Sequence, residues 1–172
     1  VSKDLVSDGF MAIIFAIIAM LAYIWFRFEL PFAIGAIVAL MHDIILTMGL
    51  FAILGLEFNL ATVAAILLII GYSMNDTVVV YDRIRENLRK FKKMNLNDLL
   101  DKSINETLSR TINTTVTTIL ALGALYLFGG QIIADFAFAM LWGIVVGTYS
   151  SIFIASNILV YVNVRRSKES ES

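Results

Sequence analysis

The 172-residue chain is 59% hydrophobic and only 16% charged, whereas charged residues make up roughly a quarter of an ordinary soluble domain. Its 13 basic residues nearly balance its 14 acidic residues, which excludes an overall basic surface for nucleic acid, and the high hydrophobicity excludes intrinsic disorder. The chain has no cysteine, so disulfides and thiolate chemistry are excluded, and a water-soluble globule of this size could not hide so much apolar surface.

Five long stretches with almost no charged residue divide the chain. Each is at least about 17–25 residues long, which an α-helix needs to span hydrocarbon, and none alternates as a barrel strand would. The predicted transmembrane helices span residues 7–26, 31–55, 59–82, 104–128 and 132–163. We therefore expect an all-α membrane protein, with a bundle of five transmembrane helices in one domain over residues 7–164.

The basic residues lie almost entirely on one side of this predicted bundle. Arg27, the segment 83–103 and the tail 165–172 carry them, whereas the other side receives only Lys3. By the positive-inside rule, the first side is cytoplasmic and the N-terminus lies outside. We expect residues 1–6 to be the end of an external linker and the chain to be a fragment that lacks an earlier helix.

The longest connection, residues 83–103, combines a helical pattern of apolar residues with many basic ones. Ile84, Leu88 and Phe91 recur at helical spacing, and Asn95 resembles a helix N-cap. This pattern predicts an amphipathic helix lying on the cytoplasmic membrane face, held there by anionic lipid. A docking site for a cytoplasmic partner is the alternative interpretation.

Three charged residues lie well inside predicted spans, away from the span ends, and a charged residue near the bilayer centre costs at least about 2.5–3.5 kcal/mol. Asp43 is near the middle of the second helix, and Asp76 and Arg110 each lie about six residues, roughly 9 Å, from a cytoplasmic helix end. Equal depth would allow Asp76 and Arg110 to touch. Other polar residues of these helices are candidates for a supporting network: His42, Tyr72, Ser73, Asn75, Thr77, Asn113, Thr114 and Thr117.

Small residues at four-residue spacing in the last helix, Gly143, Gly147 and Ser151, predict close packing against a neighbouring helix. We therefore expect the polar groups to face other helices and not lipid. Asp43, Asp76 and Arg110 then form a candidate proton relay, because a buried carboxyl can change its charge when an arginine moves or water enters. A static ion pair is the alternative for these residues, and a packed polar side chain is the alternative for His42.

Enzyme chemistry finds little support in the sequence. A single histidine without cysteine leaves no zinc cluster and no Cys–His pair, and no glycine-rich phosphate loop is present. We expect no catalytic site, no metal and no organic cofactor. Gly129–Gly130 predicts a tight turn between the last two helices.

Several motifs in fixed order resemble the SecF family, membrane subunits of the bacterial protein-export machinery. The most specific is residues 71–87, GYSMNDTVVVYDRIREN. The other matching motifs are RFE at 27–29, ALMHD at 39–43, GLEFN at 55–59 and NETLSRTINT at 105–114.

The resemblance implies six helices per subunit, so that this chain would lack the first helix and a periplasmic domain. It implies pairing with SecD in a twelve-helix bundle related to the RND transporters, in the bacterial inner membrane, with the N-terminus of this chain periplasmic and its C-terminus cytoplasmic. The pair would assist translocation of unfolded proteins through the SecYEG channel, with the proton gradient as its energy source. By motif, Asp76 and Arg110 match proton-pathway positions of the family, and Asp43 matches its intramembrane His-Asp pair.

Two alternatives remain open at this stage. The first is an RND-like, proton-coupled exporter of a small molecule or lipid. The second is a scaffold that stabilises the export complex without transporting anything.

Overall fold

The computed structural model describes residues 3–56, 59–162 and 164, and every regular element in these ranges is helical. The helices are α1 (Lys3–Arg27), α2 (Leu30–Leu54), α3 (Leu60–Lys90), α4 (Leu96–Phe128), α5 (Gln131–Ser150) and α6 (Ser156–Tyr161). A π-helical turn at Ser151–Ala155 joins α5 to α6, so that the last three elements form one long helix. Five helices in the described ranges are long and apolar enough to cross a membrane, which confirms the predicted all-α bundle.

Local sequence signals set the helix ends. Pro31 lies in the first turn of α2, where its missing N–H costs nothing, and Gly55 ends that helix in a left-handed conformation with φ of 64°. Asn59 begins α3 with a capping box, accepting a hydrogen bond from the backbone N–H of Thr62 at 3.0 Å. Gly130, with φ of 79°, forms the turn predicted between α4 and α5.

The expected separate amphipathic helix over residues 83–103 is wrong. Residues 83–90 continue α3, residues 96–103 begin α4, and Asn95 caps α4 by accepting from the N–H of Asn97 at 3.2 Å. No glycine or proline interrupts the chain between Tyr81 and Lys90, and extending an existing helix is easier than nucleating a new one. The apolar stripe, including Ile84, is buried in the hydrophobic core, and the two extensions pair as a helical hairpin.

The ends of the chain also differ from the expectation or lie outside the described residues. Helix α1 begins at Lys3, so most of the predicted linker over residues 1–6 is helical. The predicted cytoplasmic tail over 165–172 lies outside the described residues, as do Glu57 and Phe58 of one family motif.

Helix α3 is central in the bundle and packs against α1, α2, α4 and α5. Small residues permit the closest approaches. A side chain at Gly143 would collide with Ile69 of α3, and a Cβ at Gly147 would lie 3.0 Å from Cβ of Ser73. Helices α1 and α4 are peripheral and expose much of their apolar surface, which in a membrane would contact lipid or another subunit.

Candidate functional site

A buried carboxyl group at the centre of the bundle is surrounded by polar side chains. Asp43 of α2 is fully buried, and its Oδ2 accepts hydrogen bonds from Oγ of Ser73 at 2.5 Å and Oγ of Ser150 at 2.8 Å. Nδ1 of His42 lies 3.1 Å from Oδ1 of the same carboxyl. Three helices thus supply polar partners to one carboxyl group, which is how a protein keeps such a group away from water.

A second layer of hydroxyls lies beside this carboxylate, at the start of the π-helical turn. Oγ of Ser151 lies 2.9 Å from Oγ1 of Thr77 and donates to the backbone carbonyl of Ser73 at 3.1 Å. At the end of the turn, the hydroxyl of Tyr81 donates to the carbonyl of Ala155 at 3.1 Å. A π-turn displaces carbonyls from their usual helical partners, and single π-turns are frequent at functional sites.

Asp76 and Arg110, predicted to be close, do not form a direct pair. The side chain of Asp76 is buried on α3, and its Oδ2 has no hydrogen-bond partner among the described residues. In the described part of the chain, neither a hydrogen bond nor an ion pair joins Arg110 of α4 to the Asp76 carboxyl. Arg110 itself is exposed, and it lines an open cleft between α3 and α4.

Within the described part of this chain, some of the predicted polar residues face another helix and others do not. Ser73 and Thr77 are buried at the Asp43 cluster, and the hydroxyl of Tyr72 donates to Oγ1 of Thr118 at 3.3 Å. The others face outward or hydrogen-bond to backbone carbonyls of their own helix: Asn75, Asn113, Thr114 and Thr117. Periodicity places Asn113 and Thr117 on one face of α4 but cannot say what covers that face.

The sequence reasoning missed two residues of the buried cluster. Ser150 lies one position before Ser151, the last residue of the small-residue stripe. Only the observed rotation of α5 turns the Ser150 hydroxyl toward Asp43. Tyr81 was absorbed into a family motif, although its fully buried hydroxyl supports the π-turn. A tyrosine between apolar residues of a predicted buried helix is a signal that its hydroxyl needs a partner.

The helical hairpin formed by the extensions of α3 and α4 carries an ion-pair network below the Asp76 level. Nε of Arg83 donates to Oε2 of Glu106 at 2.6 Å, and Nζ of Lys102 lies 3.1 Å from the other oxygen of that carboxylate. Asn87 crosses the hairpin by donating to Glu106 and to Oγ of Ser103, each at 2.9 Å. An open cleft of about 400 Å³ leads along this network to Arg110.

Comparison with known proteins places this architecture in a family. The family model for the protein export membrane protein SecD/SecF, C-terminal, matches residues 1–165. The chain belongs to the SecD/SecF family. Its buried carboxyls, its π-turn and its hairpin network are therefore features of a SecD/SecF membrane domain.

Individual relatives are translocase subunits named SecF. The chain is 53% identical to SecF of Rhodobacter capsulatus over 169 residues, covering 98% of this chain and 51% of the relative. It is 53% identical to SecF of Rickettsia rickettsii over 170 residues, covering 98% of this chain and 55% of the relative. The chain thus spans about half the length of the curated relatives it matches.

Two solved structures share the fold over most of the chain. The crystal structure of SecDF in a super-membrane-facing form superposes with a TM-score of 0.88 at 41% identity, covering 99% of this chain and 23% of that chain. The crystal structure of SecDF from Thermus thermophilus, a translocon-associated membrane protein, gives a TM-score of 0.80 at 46% identity, covering 83% and 20%.

Proposed function

We propose that this chain is the membrane domain of a SecF subunit, which pairs with SecD and assists protein translocation through the SecYEG channel with energy from the proton gradient. Family membership over residues 1–165 supports the assignment to protein export. A periplasmic domain would handle the unfolded substrate. The membrane domain formed by this chain would couple the movement of that periplasmic domain to proton passage. It would lie in the bacterial inner membrane.

One observation carries the proton-coupled part of this proposal: a buried carboxyl oxygen of Asp76 without a hydrogen-bond partner among the described residues. Such an atom is costly inside a membrane protein and requires an explanation. A carboxyl that takes up and releases a proton explains it, because the group alternates between two protonation states and its surroundings cannot be ideal for both. If Arg110 of α4 came closer to Asp76 in one conformation, its charge would favour the charged form of the carboxyl there.

Asp43 has a different environment, and its role in the proposal differs accordingly. Two serine hydroxyls already donate to its Oδ2, and His42 contacts the other oxygen. A carboxyl fixed in this way joins α2, α3 and α5 at one point. We propose that Asp43 transmits a change at Asp76 to the rest of the bundle through α3, on which Ser73 and Asp76 are one turn apart.

The outward polar face of α4 supports SecD as the partner. Arg110, Asn113 and Thr117 are exposed in the isolated chain, although this helix is long and apolar enough to span a membrane. Polar side chains in spans avoid lipid and face other helices or water. A SecD helix bundle lying against α4 would provide that environment.

Replacing Asp76→Asn and Arg110→Met separately in the full-length protein tests the proposal in cells that depend on it for efficient export. We expect each change to reduce export strongly while expression and co-purification with SecD stay normal. Asp101→Asn, an exposed carboxylate of the hairpin, is the matched control and should export normally. Undiminished export by both variants would show that the relay assignment is wrong. Failure of the unaltered protein to co-purify with SecD would contradict the partner assignment.

A further inference from the structure

A second charged region lies at the cytoplasmic end of α1, away from the Asp43 cluster. It is an open groove of about 410 Å³ between α1 and the extension of α3. We call it the basic groove, and it is lined by Arg27, Asp82, Arg85, Glu86, Arg89 and Lys90.

The cations of the basic groove outnumber its carboxylates, and both carboxylates are already engaged. Oδ1 of Asp82 pairs with Nη2 of Arg27 at 2.9 Å. Oε2 of Glu86 pairs at 2.7 Å with Nη1 of Arg83, a residue outside the groove. Three cations therefore remain without a carboxylate partner in the described part of the chain: Arg85, Arg89 and Lys90.

Arg85 is the residue best placed to bind an anion at the inner end of the groove. Its Nη1 donates to the backbone carbonyl of Arg27 at 3.4 Å, which ties the guanidinium to the end of α1. Its Nε is buried without a hydrogen-bond partner among the described residues, so the phosphate would be bound by the guanidinium N–H groups that line the groove. A guanidinium has five N–H donors in a planar fork that matches phosphate, so a phosphate oxygen would satisfy donors that the protein leaves unused.

The position of the groove selects the source of the phosphate. Trp25 and Phe26, immediately before Arg27, are 71% and 94% exposed, and aromatic residues of this kind mark the boundary between hydrocarbon and headgroups. The groove therefore begins at headgroup level, with apolar surface on its membrane side and basic residues on its cytoplasmic side.

We propose that the basic groove is a binding site for the phosphate of an anionic phospholipid, held by Arg85 with Arg89 and Lys90. The acyl chains would lie along the exposed aromatic end of α1. A bound lipid of this kind would fasten the end of α1 to the cytoplasmic extension of α3. The inference does not depend on proton use by this domain, and its test measures lipid only.

The test uses the full-length protein purified with its native partners and placed in nanodiscs of phosphatidylcholine with increasing phosphatidylglycerol. Native mass spectrometry counts the phosphatidylglycerol molecules that stay bound. The site variant is Arg85→Gln with Arg89→Gln. The matched control is Lys92→Gln with Lys93→Gln, which removes two exposed charges from the adjoining turn.

Each cation near an anionic surface contributes about fivefold in affinity, so we expect the site variant to bind phosphatidylglycerol about 25-fold more weakly. The control should stay within about threefold of the unaltered protein, because its lysines lie further from the headgroups. Equal losses in the two variants would mean diffuse attraction to the membrane and would overturn the proposal. Binding of millimolar inorganic phosphate in nanodiscs of phosphatidylcholine alone, together with no retention of phosphatidylglycerol in the mixed nanodiscs, would assign the groove to free phosphate. That result would also overturn the proposal.

Arg85→Gln alters a contact with α1, so Arg89→Gln alone provides a check on folding. Its side chain is exposed and makes no hydrogen bond or ion pair in the described part of the chain. We expect about a fivefold loss of phosphatidylglycerol from this single change with an unaltered melting temperature. Unchanged retention in the single variant, with a lowered melting temperature in the double variant, would show that the groove has only a structural role.

Discussion

The hydrogen bonds to Asp43 allow a prediction whose size distinguishes a charged from a neutral carboxyl. Ser73 and Ser150 each donate to Oδ2 of this fully buried group, at 2.5 and 2.8 Å. A hydrogen bond to a charged group contributes about 1.5–3 kcal/mol, whereas interhelical bonds between neutral groups in a membrane protein average about 0.6 kcal/mol. Ser73→Ala and Ser150→Ala should therefore each lower the free energy of unfolding by about 1.5–3 kcal/mol.

Unfolding by sodium dodecyl sulfate in mixed micelles measures this free energy. Ser109→Ala removes the same hydroxyl from an exposed position of α4 and should change stability by less than about 0.5 kcal/mol. The double variant Ser73→Ala with Ser150→Ala should be non-additive by more than about 0.5 kcal/mol, because both hydroxyls donate to one oxygen. Losses at or below about 0.6 kcal/mol in both single variants would refute the prediction that the two serines donate to a charged Asp43 carboxyl.

Three further predictions concern the packing and the ends of the helices. Tyr81→Phe removes the hydrogen bond to the carbonyl of Ala155 and should lower the free energy of unfolding by about 1 kcal/mol in the same experiment. The change Tyr161→Phe, at an exposed position, should have almost no effect, and equal effects would contradict a role for the Tyr81 hydroxyl in stabilising the π-turn. Gly143→Ala should destabilise the bundle by about 1–3 kcal/mol, because the added methyl would collide with Ile69. Gly49→Ala, with open space around it, should be neutral or stabilising, and a larger loss of stability for Gly49→Ala than for Gly143→Ala would mean that α5 and α3 are not in close contact. Asn59→Ala should cost about 1 kcal/mol through loss of the capping box at α3, as seen in thermal unfolding followed by circular dichroism, and an unchanged melting temperature would argue against that cap.

Helix positions followed from the sequence because the uncharged runs are long and the bilayer sets their length. The structure of residues 83–103 was harder to predict, because an amphipathic stripe with basic flanks fits a surface helix as well as an extension of a span. What decides between them is tertiary: Asn87 donates across the hairpin to Ser103, and Arg83 pairs with Glu106. Such contacts between residues distant in sequence cannot be read from a hydrophobic pattern.

The candidate site was predictable to the extent that charge inside a span is informative. Asp43 and Asp76 stood out because so few charged residues occur in the runs, and both are buried. Ser150 did not stand out, because a serine in a membrane helix can also hydrogen-bond to its own backbone, and the carbonyl of Gly147 lies 3.0 Å from its Oγ as an alternative acceptor. The exposure of Arg110 depends on the rotation of α4 about its axis, which packing sets.

Export in the presence and absence of a proton gradient tests whether Asp76 couples translocation to proton movement. Inner-membrane vesicles would contain the full-length protein with its partners, either unaltered, with Asp76→Asn or with the control Asp101→Asn. Translocation of a preprotein would be followed with and without an ionophore that collapses the proton gradient. We expect the ionophore to slow translocation in the unaltered and Asp101→Asn vesicles. Translocation in Asp76→Asn vesicles should already be slow and should not respond to the ionophore. Translocation by Asp76→Asn at the normal rate, with normal sensitivity to the ionophore, would contradict proton coupling through Asp76.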